Sequence, residues 1–74
     1  MPGSGLSPFV KKFGANVRRV RDRRDMTQEK LAELVDLNVR NIQRIEKGQI
    51  VALISTMKRI REALKCSWED LLGR

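Results

Sequence analysis

The sequence predicts an all-α domain of five short helices, and three observations lead to this fold class. Apolar side chains recur every three or four residues, which is the period of an α-helix. Residues that commonly cap helix N-termini precede these stretches, at Ser7, Thr27, Asn38 and Ser67. No stretch alternates apolar and polar residues in the manner of a half-buried strand.

The apolar stripes place the helices in chain order. They are Phe9, Phe13, Val17 and Val20; Leu31, Leu34 and Val35; Val39, Ile42 and Ile45; Ile54, Met57, Ile60 and Leu64; and finally Trp68, Leu71 and Leu72. Gly48 predicts the end of the third helix, because glycine readily adopts the left-handed conformation found after many helices. In the last helix, the stripe is directed either into the core or toward a partner.

The N-terminal residues 1–8 differ in composition from the rest of the chain. The segment MPGSGLSP contains both prolines and two of the five glycines, which predicts a flexible N-terminal arm or an expression scar. Residues 9–74 then form one small domain. Since a chain of this length buries only about 60% of its unfolded surface, dimerisation would stabilise it.

The charge of the chain is strongly positive, with 16 Lys and Arg against 9 Asp and Glu, giving a net charge of +7. Such an excess indicates a polyanionic partner, most often nucleic acid and less often a membrane surface. No apolar run approaches the roughly 20 residues that span a bilayer, and no secretory signal is apparent, so we expect a cytoplasmic protein without a membrane partner. RNA is disfavoured because aromatic residues make up only 4% of the chain.

The composition argues against an enzyme and against a metal or cofactor site. The chain has no histidine, which is the commonest general base and metal ligand. Its one cysteine, Cys66, can form neither an internal disulfide nor a zinc site, and we interpret it as a small core residue. We expect no catalytic residues, no metal and no cofactor.

The third helix carries the clearest functional signal, in the segment NVRNIQRIEKG. Arg40, Arg44 and Lys47 lie at i, i+4 and i+7, so they align on the side opposite the apolar stripe. Like charges at this spacing repel one another unless an anionic partner neutralises them. A short turn at Asp36–Asn38 joins this helix to the preceding one, an arrangement typical of helix-turn-helix DNA recognition. We therefore predict a recognition helix over about residues 38–47.

The segment from Thr27 to Gly48 resembles the Xre/Cro-like helix-turn-helix family of phage repressors and bacterial regulators. The matching positions are Thr27-Gln28, Leu31-Ala32, Asp36, Ile42 and Glu46-Lys47-Gly48, with a basic first helix before them and Leu64, Ser67 and Leu71-Leu72 after them. The resemblance covers about residues 13–72. It implies a lambda-repressor-like fold and a sequence-specific DNA-binding regulator that reads a palindromic operator as a homodimer.

The resemblance also implies roles for individual residues. Base edges in the major groove would be contacted by Val39, Arg40, Asn41, Gln43 and Arg44, and phosphates by Gln28, Asn38 and Lys47. Gln28 is also a position that sometimes braces a base-reading side chain. Glu46 would be the buried acid of the family, paired with Arg21 of the first helix.

Three positions depart from the family pattern. Asp36 replaces the turn glycine, Arg61 replaces a small residue of the fourth helix, and the apolar residues 50–53 replace a polar, proline-containing loop. Exposed apolar clusters usually meet a partner. We therefore predict a dimer interface at Val51, Leu53, Trp68 and Leu71.

Two classes of function stay open on this sequence. The first is a DNA-binding regulator, acting as a phage-type repressor, a restriction-modification controller or an antitoxin. The alternative is a protein-interaction module, an antitoxin or adaptor, that uses the helix-turn-helix only as a scaffold and docks a protein partner on the apolar loop and Trp68. Replacement of residues distinguishes the two functions. An interaction module should still function after replacement of Arg40 and Arg44, but should lose its function when charge is placed on Val51 or Leu53.

Overall fold

The computed structural model describes residues 7–73, and these form five α-helices. The helices are α1 (Pro8–Arg23), α2 (Gln28–Val35), α3 (Val39–Glu46), α4 (Ile54–Leu64) and α5 (Trp68–Leu72). The all-α prediction is confirmed, and no strand occurs within this range. Residues 1–6 of the predicted arm, and Arg74, lie outside the described residues. Of the last two residues of this segment, Ser7 caps α1 and Pro8 is its first residue.

The four predicted N-caps all bond to the backbone of the helix that they precede. Ser7 Oγ accepts from the N–H of Val10 at 3.4 Å, and Thr27 Oγ1 accepts from that of Lys30 at 3.0 Å. Asn38 Oδ1 accepts from the N–H of Arg40 at 2.8 Å. Ser67 and Asp70 form a reciprocal capping box on α5. These bonds satisfy N–H groups that have no partner within the helix.

The turn between α2 and α3 is three residues long. Asp36 adopts the left-handed conformation at φ 60°, and the N–H of Leu37 donates to the carbonyl of Ala32 at 2.9 Å. An aspartate tolerates this conformation better than most residues other than glycine. Asp36 therefore makes the turn that the family pattern assigns to glycine, and α2 and α3 pack directly against each other.

The core lies where α1 crosses α3 and α5 and where α2 meets α4. Its buried apolar residues are Phe13, Val17, Val20, Leu31, Ala32, Val35, Ile42, Ile45, Ile60, Leu64 and Leu71. Four members of the predicted stripes are exposed outside it: Phe9 at 53%, Leu34 at 50%, Ile54 at 79% and Trp68 at 38%. None of the described helices combines the length and the apolar character needed to cross a membrane.

One predicted interface residue is wrong. Leu71 was expected at a dimer contact, but its side chain is fully buried in the core of its own protomer. On a helix of five residues, the positions that face inward and outward differ by a single step, and the pattern WEDLL does not distinguish them. The neighbouring Leu72 is only partly buried and faces the surface groove described below.

Candidate nucleic-acid interface

Helix α3 presents two chemically different sides. Its inner side buries Ile42 and Ile45 in the core. Its outer side exposes Arg40, Gln43 and Arg44, and Lys47 is exposed directly after the helix. In the part of the chain that the structure describes, neither Arg40 nor Arg44 forms a side-chain hydrogen bond or an ion pair, so both guanidinium groups are available to a ligand.

A shallow polar groove of about 440 Å³ lies over the N-terminal half of α3. Its lining consists of Asn38, Val39, Arg40, Asn41 and Gln43. The groove thus brings together four of the five predicted base-reading residues, and Arg44 follows one turn after Arg40. The N-terminus of a helix also carries partial positive charge, which adds to the attraction for an anion.

Beneath this side of α3 lies a buried ion pair between Arg21 of α1 and Glu46. Arg21 Nε donates to Glu46 Oε2 at 2.7 Å, and Arg21 Nη2 donates to Oε1 at 3.1 Å. The same guanidinium donates through Nη1 to the carbonyl of Met26 at 2.7 Å. The hydrogen bond to Glu46 raises the pKa of Arg21 above its ordinary value. The pair implied by the family resemblance is therefore present.

Gln28, the first residue of α2, connects this ion pair to the outer side of α3. Its Nε2 donates to Glu46 Oε1 at 3.0 Å. Its Oε1 accepts from Gln43 Nε2 at 3.4 Å. Gln43 was predicted as a base contact only, and its bond to Gln28 spans 15 positions of sequence, which no local pattern reveals.

The predicted phosphate-contacting residues surround the recognition helix. Asn38 lies at its N-terminus, Lys47 at its C-terminus and Gln28 at the start of α2 beside it. Lys11 of α1 lies next to Gly48, which has a positive φ of 70° and leaves no space there for a Cβ. Lys11 is therefore held beside the residue that follows Lys47, a proximity that the sequence pattern of α1 did not single out.

Two arginines outside α3 donate to carbonyls near helix C-termini. Arg24 donates to the carbonyls of Leu64 and Lys65, at 2.9 and 2.7 Å, at the end of α4. Arg19 donates to the carbonyl of Asp70 in α5 at 3.0 Å. Cations at helix C-termini satisfy unpaired carbonyls and offset the negative end of the helix dipole. Arg19 of α1 and Arg24, the residue that follows α1, therefore have structural partners.

A second surface is apolar, unlike the polar and basic outer side of α3. It is formed by three parts of the chain: the N-terminus of α1, the loop that precedes α4 together with the start of α4, and helix α5. Val51 and Leu53 are exposed, as predicted for an interface, and Trp68 is 38% exposed. A groove of about 460 Å³ runs between Phe9, Val51, Ala52, Ile54, Met57, Trp68 and Leu72. We call this set, together with Leu53, the apolar face. Phe9 and Ile54 were missed because both fit the core stripes of their helices.

Arg61 lies at the edge of the apolar face. Its guanidinium carbon is 5.1 Å from the centre of the Trp68 ring, a cation–π distance. The guanidinium of Arg61 therefore lies against the indole, and its Nε is buried without a hydrogen-bond partner among the described residues. Cys66 follows α4 and is partly buried, and loss of hydration raises the pKa of its thiol. Within residues 7–73, no three His, Cys, Asp or Glu side chains cluster closely enough to hold a metal ion.

Comparison with known proteins places this geometry in a family. A helix-turn-helix family model, of the Xre/lambda-repressor-like type, matches residues 17–71, which is most of the chain. The chain belongs to the Xre/lambda-repressor-like helix-turn-helix family. Members of this family are DNA-binding transcriptional regulators, and the protein is one of them. No curated protein matches the sequence.

Solved structures of helix-turn-helix proteins superpose closely on this one. The restriction-modification controller protein C.AhdI from Aeromonas hydrophila has 27% identity and a TM-score of 0.81, with 85% of this chain and 96% of that chain covered. The controller protein C.Esp1396I, solved as a tetramer in complex with its natural operator, has 28% identity and a TM-score of 0.77, covering 82% and 80%. The clp gene regulator ClgR from Corynebacterium glutamicum shares the fold at 21% identity, with a TM-score of 0.84 and coverage of 89% and 70%.

Proposed function

We propose that this helix-turn-helix protein is a homodimeric transcriptional regulator that reads a palindromic operator by inserting α3 into the major groove. The observation that carries the proposal is the outer side of α3. Arg40 and Arg44 are exposed and make no side-chain hydrogen bond within the described residues, and Gln43 is exposed with one hydrogen bond to Gln28, whereas the other side of the helix is anchored in the core and by the Arg21–Glu46 pair. Such a helix presents donors and acceptors to a ligand on a rigid base.

The chemistry of these side chains matches base edges. Arg40 and Arg44 can each donate two hydrogen bonds to a guanine, and Asn41 and Gln43 can pair with an adenine. Val39 can pack on a thymine methyl group. Gln28, Asn38 and Lys47 are placed to bind phosphates, which position the protein without reading sequence.

A second copy of the chain would cover the apolar face. One recognition helix reads a single half-site, and a two-fold dimer places two such helices on half-sites roughly 34 Å apart. The exposed apolar residues Phe9, Val51, Leu53, Ile54 and Trp68 are suited to such an interface, since burying them removes apolar surface from water. The tetrameric assembly of C.Esp1396I on its operator supports self-association in proteins of this fold.

Among the roles that the sequence left open, the controller role has the best support. Both C.AhdI and C.Esp1396I are restriction-modification controllers, and each is matched over at least four-fifths of its own length. We infer that this protein has the same kind of role, controlling transcription without catalysing a reaction. A regulator of this kind works where its DNA lies, so we place it in the cytoplasm.

Selection from a randomised duplex library, at near-physiological salt, tests the proposal. The wild-type protein is expected to enrich a palindrome, and Arg40→Ala/Arg44→Ala is expected to lose this enrichment. A matched control is Lys58→Ala/Lys65→Ala, which removes the same charge from exposed residues on and after α4. If both double variants lose binding equally, only net charge matters, and sequence reading by α3 is contradicted.

The same selection distinguishes DNA reading from the alternative function, an interaction module that docks a protein on the apolar face. An interaction module would bind DNA without selecting a site. In a separate binding assay, its protein partner would still bind Arg40→Ala/Arg44→Ala but would not bind Val51→Glu/Leu53→Glu, which places charge on the face where the partner would dock.

A further inference from the structure

We propose that two copies of this chain recognise each other through an ion pair between subunits, in which Arg61 of one protomer binds Glu69 of the partner subunit. The inference rests on the proposed function, because it requires that a second copy covers the apolar face. It starts from Arg61, which occupies a position where the family pattern has a small residue. The family resemblance therefore implies no role for this side chain.

Arg61 is held at the edge of the apolar face without an acceptor for its charge. It follows Met57, a lining residue of the groove, at i+4 on the same side of α4. Its guanidinium carbon lies 5.1 Å from the centre of the Trp68 ring. Its Nε is buried and has no hydrogen-bond partner among the described residues. A partly desolvated cation without an acceptor is costly, and a carboxylate that docks beside it offsets this cost.

Glu69 is the carboxylate best placed to supply this acceptor from a second copy. Helix α5 carries two carboxylates, and that of Asp70 already accepts from the backbone N–H of Ser67 at 3.1 Å. Glu69 is exposed and directly follows Trp68. Around the helix it lies about 160° from the buried Leu71, so it projects away from the core of its own protomer.

The symmetry of a two-fold dimer makes such a pair reciprocal. If one residue contacts a second residue across the interface, the second also contacts the first. A residue on the axis meets its own copy, so the axis suits the indole of Trp68, whereas two copies of Arg61 would repel each other there. Arg61 and Glu69 both adjoin Trp68, and a two-fold axis near this ring brings them together twice in each dimer.

Charge complementarity also favours this arrangement over a purely apolar contact. The chain carries a net charge of +7, so two protomers repel each other on approach. Two carboxylates that face arginines within the interface offset part of this repulsion. Apolar contact is non-directional, whereas paired charges fix the register of an interface and disfavour wrong partners. The pair thus makes the apolar face selective for a second copy of this chain.

The experiment exchanges the two charges between protomers of the full chain. A dimer of Arg61→Glu contains two facing pairs of carboxylates, and a dimer of Glu69→Arg contains two facing pairs of arginines. We expect each variant alone to dimerise at least about tenfold more weakly than wild type. In an equimolar mixture, every mixed dimer has two pairs of opposite charge. Heterodimers should therefore form with a dissociation constant within about threefold of the wild-type value.

Sedimentation velocity measures these constants, and native mass spectrometry distinguishes heterodimers from homodimers by mass. Arg59→Glu is the matched control, because it makes the same change at an exposed residue of α4 that lies about 160° from Arg61 around the helix. Arg59→Glu is expected to dimerise like wild type and to leave Glu69→Arg monomeric when the two are mixed. Circular dichroism verifies that each variant folds.

Neutral variants test the pair if a reversed charge prevents folding. Arg61→Gln and Glu69→Gln should each weaken the dimer, and the double variant should be no weaker than the worse of the two, as expected for residues in contact. Because the pair exists only between subunits, Glu69→Gln should leave the stability of the dilute monomer nearly unchanged. A less stable monomer would mean that Glu69 acts within its own chain, against the proposal.

Failure of this inference is distinguishable from failure of the proposed function. If wild type dimerises but the folded charge-exchange variants form no heterodimer, or the effects of the neutral variants simply add, the dimer forms without this pair and only the inference is overturned. If wild type is a monomer even on its operator, the two-fold arrangement fails and the inference fails with it.

Discussion

Arg21 and Glu46 join the first helix to the last residue of the recognition helix through two hydrogen bonds of 2.7 and 3.1 Å. Only 10% of the Arg21 side chain and 3% of the Glu46 side chain are exposed to solvent. A pair with this geometry is costly to break, because the partner that remains is a buried, uncompensated charge. The orientation of α3 depends on this ion pair. So does the hydrogen bond that Glu46 accepts from Gln28.

Replacing one partner of this pair should destabilise the fold strongly. For Arg21→Met we expect the free energy of unfolding to fall by about 3–5 kcal/mol, because the Glu46 carboxylate keeps its desolvation cost without its cation. Urea denaturation followed by circular dichroism measures the change. Arg18→Met is the control, since the Arg18–Asp22 contact is long, at 3.9 Å, and exposed, and its loss should cost less than about 1 kcal/mol.

The double variant Arg21→Met/Glu46→Met sharpens this test. When both charges are replaced by apolar side chains, much of the lost stability should return, since no buried charge is left unpaired. A double variant that is no more stable than Arg21→Met would show that the damage came from lost packing and not from the unpaired carboxylate.

Gly14 gives a second prediction, in which the expected sign is opposite to that of helix propensity. In an exposed helical position, glycine to alanine stabilises by about 1 kcal/mol. A Cβ at Gly14 would overlap the backbone carbonyl of Ile45 and approach that of Glu46, so α1 and α3 would have to separate. We expect Gly14→Ala to lower the free energy of unfolding by at least 1–3 kcal/mol, as overpacking typically does.

The neighbouring position supplies the control for Gly14. Ala15 is exposed on the same helix, and Ala15→Gly should cost only about 1 kcal/mol through propensity alone. Thermal melts of both variants, followed at 222 nm, give the comparison. A stabilised Gly14→Ala would mean that α1 and α3 are farther apart than the structure places them.

Local signals in the sequence predicted most of the fold. The capping side chains accept hydrogen bonds from backbone groups within three residues, so a short stretch of sequence is enough to predict them. They are Ser7, Thr27, Asn38 and Ser67. The period of apolar residues likewise reports which side of a long helix is buried. Both signals weaken at the ends of helices, where Ile54 proved exposed, and in the very short α5, where Leu71 proved buried.

What the sequence did not predict depends on residues that are distant along the chain. Arg24 binds the carbonyl of Leu64, 40 positions away, and Gln28 meets Gln43 only after the turn brings α2 against α3. A basic run on a helix looks the same whether its side chains reach DNA, solvent or carbonyls. The family resemblance supplied one such distant pair, Arg21 and Glu46, which periodicity alone could not identify.

The capping box of α5 predicts a specific response to acid. The hydrogen bond from the Ser67 backbone N–H lowers the pKa of Asp70 below the ordinary value of about 3.9. A carboxylate with a lowered folded-state pKa contributes stability that is fully present above its unfolded pKa and is lost as pH falls through its folded pKa. Wild type should therefore lose more stability than Asp70→Asn when pH is lowered from about 5 to about 2.

Melting temperatures measured over that range test the acid response. The difference between wild type and Asp70→Asn should narrow steadily below about pH 4. Glu69→Gln is the matched control, because it removes a carboxylate from the same turn of α5, whereas the Ser67 N–H donates to Asp70 and not to Glu69. Parallel curves for wild type and Asp70→Asn would mean that the carboxylate does not cap α5 in solution.

The apolar face yields the last prediction, on self-association. Leu53 is 72% exposed in the single protomer, so Leu53→Glu should leave the core intact. In a dimer closed over this face, the new carboxylate would be buried without a partner. We expect the dissociation constant of the dimer to rise at least about tenfold, as for replacement of a central interface residue. Sedimentation velocity over a concentration series measures this, and affinity for the palindrome should fall with it.

Leu34 makes this test specific to one surface. It is a leucine of similar exposure, 50%, but it lies on α2, outside the groove of the apolar face. Leu34→Glu introduces the same charge and should leave the dimer unchanged, because exposed substitutions away from an interface have small effects. If Leu34→Glu dissociates the dimer and Leu53→Glu does not, the interface involves α2. If the wild type sediments as a monomer even when bound to its operator, the two-fold arrangement itself is contradicted.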